Sequence, residues 1–179
     1  MPHERMYASL LSLTAAAVAL AQPIQAAEWR PIGTIEVARL RFVAADPHSA
    51  RRLFIASERT LYASEDGGTS WRARFQAPRL ARLTSLAVDP LTPQRLAAAT
   101  TNGLYLSEDG GQRWRRVFRG SGEGEALCRA VAFHSTRRDA MVVGTAGGAF
   151  VSRDGGRSWH EAGGALAQSR RRQQGHPRH

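Results

Sequence analysis

Three aspartates in a repeated octet are the residues whose type and spacing most directly suggest chemistry. The octet occupies residues 64–71 and recurs at 107–114 and 152–159. Carboxylates in a glycine-rich loop can bind calcium, but a calcium loop needs several carboxylates converging on one ion. Each copy offers only one or two acidic side chains. The sequence therefore favours a structural role for the octet, and it predicts no metal site and no cofactor.

The turn chemistry of the octet supports this interpretation. An Asp side chain can accept hydrogen bonds from backbone N–H groups a few residues on, and glycine supplies positive φ at no steric cost. The serine satisfies a further turn group, and the tryptophan begins a strand and packs on a neighbouring sheet. The predicted structural residues are Ser64, Asp66, Gly68, Trp71, Ser107, Asp109, Gly111, Trp114, Ser152, Asp154, Gly156 and Trp159.

The octets must be positioned by larger repeated units, because the copies start 43 and 45 residues apart. A period of this length indicates a solenoid, propeller or array. Each unit contains four short strands, predicted in the second copy at 85–88, 96–99, 104–107 and 114–118. Asp-Pro, Asn-Gly and Asp-Gly-Gly turns separate them. No helical period with caps is found in the body, so the fold class is all-β.

The similarity between copies extends upstream of the octet. Asp46 and Arg52 of the first copy align with Asp89 and Arg95 of the second. Residues 28–168 are therefore predicted to form one domain of three repeats.

The charge of the chain is a weak guide to its ligand. The 179 residues contain 25 Arg and no Lys against 15 acidic residues, a net charge of +10. The absence of Lys beside abundant Ala indicates GC-rich coding, which raises arginine everywhere without a ligand demanding it. The composition therefore argues against reading the charge as nucleic-acid binding and suits a surface that meets acidic partners.

The two ends of the chain differ from the repeats. Residues 1–27 combine an apolar run with the small-x-small sequence Ala19-Leu20-Ala21, which predicts a cleaved signal peptide and a periplasmic or secreted protein. Residues 169–179 are basic and nearly free of apolar side chains, which predicts a disordered tail. The single cysteine, Cys128, excludes an intrachain disulfide and is expected to be a buried free thiol.

The octets resemble the Asp-box, or BNR repeat, with the pattern Ser-x-Asp-x-Gly-x-Thr/Ser-Trp. Copies one and three fit throughout, whereas copy two has Arg113 before its tryptophan, so its turn is expected to lack one hydroxyl contact. In this family the box joins strands three and four of a β-propeller blade. The resemblance implies a partial β-propeller of three four-stranded antiparallel blades. Sialidases, sortilin-type receptors, some cellulose-active glycosidases and photosystem II assembly factors share the repeat, so it leaves function open.

Three blades are fewer than the 4 to 8 of typical closed propellers. A further strand is predicted at residues 28–32, where Trp29-Arg30 resembles Trp71-Arg72. Two interpretations stay open: homo-oligomers complete a ring, or the chain is a truncated remnant of a longer protein.

A sialidase-like glycosidase is the enzymatic hypothesis. As the resemblance implies, that activity needs an arginine triad, a Tyr nucleophile and carboxylates. Tyr62 and Tyr105 occupy equivalent repeat positions where the third copy has Phe150, which indicates packing. Glu123 and Glu125 share only a loop. No catalytic residue is predicted, and a glycosidase or carbohydrate-binding fragment is the alternative function.

A noncatalytic protein-binding or assembly module is the favoured function. In propellers of this family the loops opposite the Asp-boxes form the binding face, which here are residues 57–60, 76–82, 101–103, 120–129 and 145–148. Arg39 and Arg82 precede first strands in register, and Arg129 is displaced by two residues. With Arg79 and Asn102 they are the predicted binding residues for an acidic protein, an anionic ligand or a glycan.

Overall fold

A computed structural model describes residues 39–122 and 124–163, where twelve strands form three four-stranded antiparallel sheets. The strands of the first sheet, blade 1, are β1 (Phe42–Asp46), β2 (Ser49–Ala56), β3 (Thr60–Ser64) and β4 (Arg72–Gln76). Those of blade 2 are β5 (Leu83–Val88), β6 (Leu96–Thr100), β7 (Gly103–Ser107) and β8 (Arg115–Phe118). Those of blade 3 are β9 (Cys128–Phe133), β10 (Met141–Thr145), β11 (Ala149–Ser152) and β12 (His160–Glu161).

These sheets confirm the predicted all-β class and the three antiparallel blades. In each blade the strands pair in chain order. The described residues contain no helix long and apolar enough to cross a membrane. The predicted signal peptide, the strand at residues 28–32 and the basic tail lie outside the described residues.

The predicted strands of the second repeat agree with the structure except at their ends. Strand β5 begins at Leu83, earlier than predicted. Leu83 pairs with Thr100 of β6 on the far side of a register shift between Leu83 and Ser85. Strand β8 begins at Arg115, one residue after Trp114. A bulge depends on the partner strand, so the sequence of one strand does not reveal it.

Blade 2 is apolar on both faces because it lies between its two neighbours. Toward blade 1 its buried side chains are Leu83, Leu96 and Ala98. Toward blade 3 they are Ala97, Ala99, Leu104 and Leu106. Alternation along each strand sends successive side chains to opposite faces, which produces two separate cores, one for each pair of blades.

The octet tryptophans reach back to the preceding blade. The Trp114 indole Nε1 donates to the Arg74 carbonyl oxygen at 2.9 Å, and its ring centroid lies 4.9 Å from that of Phe75. Trp159 Nε1 donates to the Val117 carbonyl oxygen at 2.9 Å. Burying about 200 Å² of a Trp side chain contributes about 5 kcal/mol at about 25 cal/mol per Å². The repeated tryptophan therefore joins each blade to the one before it.

A buried arginine in the second strand of blade 1 reaches forward instead. Arg52 Nη1 lies 3.2 Å from Asp46 Oδ2 within its own blade. The same guanidinium donates to the Pro93 and Gly110 carbonyl oxygens of blade 2, each at 3.1 Å. Arg52 thus joins blade 1 to the loops of blade 2.

Arg95 repeats this arrangement between blades 2 and 3. Its Nη1 lies 3.5 Å from Asp89 Oδ2 and 2.8 Å from Asp139 Oδ1 in blade 3. Gly155 faces the same guanidinium with φ +74°, and a Cβ built there would lie 2.8 Å from Arg95 Nη2. Glycine is required at this point both for the positive φ and for the close approach of the arginine. We call Arg52 and Arg95 the interblade arginines.

Blade 3 has no interblade arginine among its described residues. Ala140 occupies the repeat position of Arg52 and Arg95, and His134 that of Asp46 and Asp89. His134 Nδ1 accepts the backbone N–H groups of Thr136 and Arg137, each at 3.1 Å, and so closes a turn as the aspartates do. The buried Asp–Arg pair of blades 1 and 2 is therefore replaced by His134 and Ala140 at the blade that has no described successor.

The variant Arg95→Ala is expected to lower the free energy of unfolding by about 3 kcal/mol, because it leaves the Asp89 carboxylate buried without its partner. The double variant D89H/R95A copies the pair found in blade 3 and is expected to lose less. Urea denaturation measures both. The exposed Arg138→Ala is the control, and an R95A variant within about 0.5 kcal/mol of the wild type would contradict the expectation.

Candidate functional site

The meander topology gives the blades two edges of different character. The turns between the third and fourth strands carry the octets, and we call that side the Asp-box edge. The connections from second to third strands and from blade to blade lie at the opposite ends of the strands. We call this side the distal edge, formed by residues 57–59, 77–82, 101–102, 119–122 with 124–127, and 146–148.

At the Asp-box edge the carboxylates close the turns. In each octet the Asp Oδ1 accepts the hydroxyl of the first Ser at 2.7 to 2.9 Å and the backbone N–H four residues on at 2.9 Å. The Ser hydroxyl oxygen in turn accepts the N–H of the second Gly at 2.8 Å. These donors and acceptors are Ser64, Asp66, Gly68, Ser107, Asp109, Gly111, Ser152, Asp154 and Gly156. The octet's polar groups are therefore engaged within their own turn.

The three octets differ at the residue before the tryptophan. Ser70 and Ser158 each donate a hydroxyl hydrogen bond of 2.6 Å to the second carboxylate oxygen of Asp66 and Asp154. These bonds hold the pKa of both carboxyls well below its ordinary value of 3.8. Arg113 has no hydroxyl, and the backbone N–H of Arg113 is the main cause that lowers the pKa of Asp109.

An open cleft of about 300 Å³ also lies at the Asp-box edge. Its lining consists of Leu106, Glu108, Asp109, Arg113, Trp114 and Arg115. None of the predicted binding residues is among them.

The tyrosines considered as nucleophiles occupy a packing position. The Tyr105 ring lies 5.1 Å from Phe75 of blade 1. Phe150 replaces it in blade 3, with its ring 5.0 Å from Phe118. Tyr62 stands at the same point of blade 1. Tyr105 and Phe150 thus serve interfaces between sheets, whereas Tyr62 lies on the face of blade 1 that no described blade covers.

Cys128 and His134, the remaining nucleophile and base candidates, are not brought together. Burial raises the pKa of the Cys128 thiol to about 12, and His134 follows the far end of the same strand, about 20 Å away at 3.3 Å per residue. Glu125 Oε2 accepts the Ser121 backbone N–H at 2.7 Å within its own loop. Glu123 lies outside the described residues.

Two of the predicted binding arginines lie on neighbouring blades of the distal edge. Thr84 Oγ1 donates to the Cys128 carbonyl oxygen at 2.9 Å, so the beginnings of β5 and β9 are adjacent. Arg82 immediately precedes β5, and its Nε lies 2.9 Å from Glu58 Oε1. Arg129 is exposed and is the second residue of β9.

The position of Arg129 differs from the sequence expectation, which placed it before the strand. The Cys128 N–H donates to the Ala126 carbonyl oxygen at 2.9 Å, a tight turn that lets β9 begin at Cys128. Arg129 therefore projects from the strand rather than from the loop.

The other predicted binding residues also lie at the distal edge. Arg39 precedes β1 and has φ +58°, and Arg79 is exposed in the loop between blades 1 and 2. Asn102, between β6 and β7, accepts Arg116 Nη1 at 3.4 Å through its side-chain oxygen. The structure thus brings all five predicted residues to one edge of the sheets.

Exposed leucines lie beside these arginines and were not predicted from the sequence. Leu40, Leu80 and Leu127 are 52%, 91% and 44% exposed, and each lies within two residues of a predicted binding arginine. Leu80 has φ +68°, a conformation rare for a residue with a γ-branched side chain. Leucines next to arginines in predicted loops indicate a candidate binding surface. Whether their side chains are exposed depends on the loop conformation, which the sequence does not determine.

The variant Ser158→Ala is expected to raise the pKa of Asp154, because it removes the hydroxyl that donates to the carboxylate. A depressed pKa contributes stability that is present above the ordinary value of 3.8 and is lost as the pH falls through the folded-state value. The variant should therefore be less stable than the wild type near neutral pH, and the difference should vanish in strong acid. NMR titration of the carboxyl carbon and thermal unfolding against pH measure both effects.

Arg113→Ala is the matched control, since the same register position in copy two has no hydroxyl to remove. It should move the pKa of Asp109 less than Ser158→Ala moves the pKa of Asp154. Equal movements in the two variants would contradict the assigned cause.

Comparisons with known proteins agree with the fold. A family model of the BNR/Asp-box repeat matches residues 150–161. An ancestral GH74 enzyme superposes with a TM-score of 0.64 at 20% identity, covering 76% of this chain and 20% of its own. YCF48 bound to a D1 peptide superposes with a TM-score of 0.59 at 16% identity, covering 75% and 43%. YCF48 from Cyanidioschyzon merolae superposes with a TM-score of 0.59 at 17% identity, covering 74% of this chain and 42% of its own.

This chain spans only a fifth of the GH74 enzyme and less than half of the YCF48 proteins. None of the curated protein sequences compared with it matches. At these identities the structural likeness shows the fold alone. The chain thus carries an Asp-box octet in each of three antiparallel four-stranded blades, one of which the BNR/Asp-box family model matches, and its described blades have the fold of β-propeller blades.

Proposed function

We propose that the chain is an exported, noncatalytic protein-binding or assembly module that receives its partner at the distal edge. The observation that carries this proposal is the combination of arginines and exposed leucines on that edge. At the opposite edge the octet's own polar groups are engaged in closing its turns. The distal edge in contrast carries the predicted binding arginines together with exposed leucines.

The chemistry of the distal edge suits a partner with both acidic and apolar side chains. Guanidinium groups form strong charge-assisted hydrogen bonds with carboxylates. Leu40, Leu80 and Leu127 add exposed apolar side chains beside these arginines, each on a different connection of the same edge. Arg39 and Leu80 also hold positive φ, and such strained residues concentrate at functional sites. A glycan or another anionic ligand could use the arginines but would leave the leucines unused.

The relatives supply precedent for a protein partner. One of the YCF48 structures holds a D1 peptide, and its fold covers three quarters of this chain. GH74 relatives are enzymes, so a glycosidase fragment stays the alternative. The noncatalytic proposal rests on the packing of Tyr105 and on the separation of Cys128 from His134 along β9. The exported location rests on the sequence of residues 1–27.

A labelled peptide of alternating Glu and Leu is the probe for this function. The wild-type chain is expected to bind it, and the double variant R82E/R129E to bind it at least about tenfold more weakly, a loss of about 1.4 kcal/mol. The wild-type affinity should fall as salt rises, because exposed charges are screened. Fluorescence anisotropy measures the affinities.

The matched control is R113E/R153E, which makes the same charge change at the Asp-box edge and is expected to bind almost as the wild type. Equal loss in the two double variants would show that only net charge matters and would contradict the proposed site. Turnover of aryl glycosides by the wild type above that of E123Q/E125Q would contradict the noncatalytic role.

A further inference from the structure

Blades 1 and 3 each have one sheet face that no other described blade covers. We propose that a second copy of this chain covers both, with blade 3 of each copy packed on blade 1 of the other. This pairing goes beyond the proposed function, because it concerns the sheet faces and not the distal edge.

The free face of blade 3 corresponds to a face that is buried elsewhere in the same molecule. Val142 occupies the repeat position of Ala97, and Val151 that of Leu106. Ala97 and Leu106 are 0% and 1% exposed because blade 3 covers them. Val142 is 39% exposed. Blade 3 therefore presents to solvent the kind of apolar face that blade 2 presents to its successor.

The free face of blade 1 corresponds to the other side of such an interface. Val43 occupies the repeat position of Leu86, and Leu53 that of Leu96. Both leucines of blade 2 pack against blade 1, whereas Val43 is 73% exposed, although Ile55 on the same face of blade 1 is only 6% exposed. The two free faces are thus related to each other as the two sides of the existing contact between blades.

Trp71 gives the pairing a specific hydrogen bond. Trp114 Nε1 donates both to the Gly111 carbonyl oxygen of its own turn and to the Arg74 carbonyl oxygen of the preceding blade. Trp71 Nε1 makes the first of these bonds, to the Gly68 carbonyl oxygen at 3.0 Å. In register, the acceptor for the second is the carbonyl oxygen of Ala162 in a second copy.

The proposed contact lacks one element of the internal ones. Ala140 stands where blades 1 and 2 have their interblade arginine, so the contact between copies is weaker than the contacts within a chain. We therefore expect a reversible dimer whose population rises with protein concentration. The described blades of two copies number six, within the range of closed propellers, and the two identical contacts close the assembly.

Light scattering coupled to size exclusion tests the pairing on the chain as it is. The wild type is expected to approach the mass of two chains as its concentration rises. Val43→Glu and Val142→Arg change exposed side chains on opposite free faces, so each variant alone is expected to stay monomeric and folded. An equimolar mixture of the two keeps one unaltered contact and is expected to form a heterodimer, seen by capture of one tag and detection of the other.

Leu91→Arg is the control, because Leu91 is an exposed loop residue on neither free face, and it is expected to dimerise as the wild type. A wild type that is monomeric at every concentration would overturn the proposal. Other segments of the same chain would then be the candidates for covering the two free faces. Dimers of V43E or of V142R alone would overturn it as well. A mixture that forms no heterodimer would exclude the head-to-tail arrangement.

Discussion

Each blade of this protein is a thin sheet with apolar side chains on both faces, so its stability depends on neighbours that cover both. Blade 2 meets this condition with one core on each side. Trp114 and Trp159 donate to the blade before them and the interblade arginines contact the blade after theirs, so each of the two described interfaces has one such contact from each side. The Asp-box turn serves this arrangement, since it positions the tryptophan at the start of the fourth strand.

Much of this architecture could be predicted from the sequence, because turn residues and tryptophans recur at a fixed period. The repeat spacing predicted the hairpins and the number of strands. It also predicted that Trp71 and Trp114 stand at the start of a fourth strand. The interblade arginines were visible only as aligned residues. Arg52 and Arg95 are buried because they cross to the next blade, and a chain with arginines throughout gives no local sign of which ones do so.

The candidate site was predictable in its location but not in its composition. Topology places the starts of the first strands at one edge, so Arg82 and Arg129 could be assigned there before their surroundings were known. The ion pair of Arg82 with Glu58 and the exposure of Leu80 depend on loop conformation, which no periodic pattern determines. The Asp-box edge supplies the tryptophans of the blade interfaces, and the distal edge is the side where we propose recognition.

Trp114 and Trp159 fasten blades 2 and 3 to the preceding blade through their indole N–H groups. Hydrogen exchange of the indole Nε1 protons, followed by NMR at a concentration where the chain is monomeric, tests this fastening most directly. Slower exchange is expected for the indole N–H of Trp114 and Trp159, which donate to the preceding blade at 2.9 Å, than for that of Trp71, which donates to its own turn. Equal exchange rates for the three indoles would contradict it.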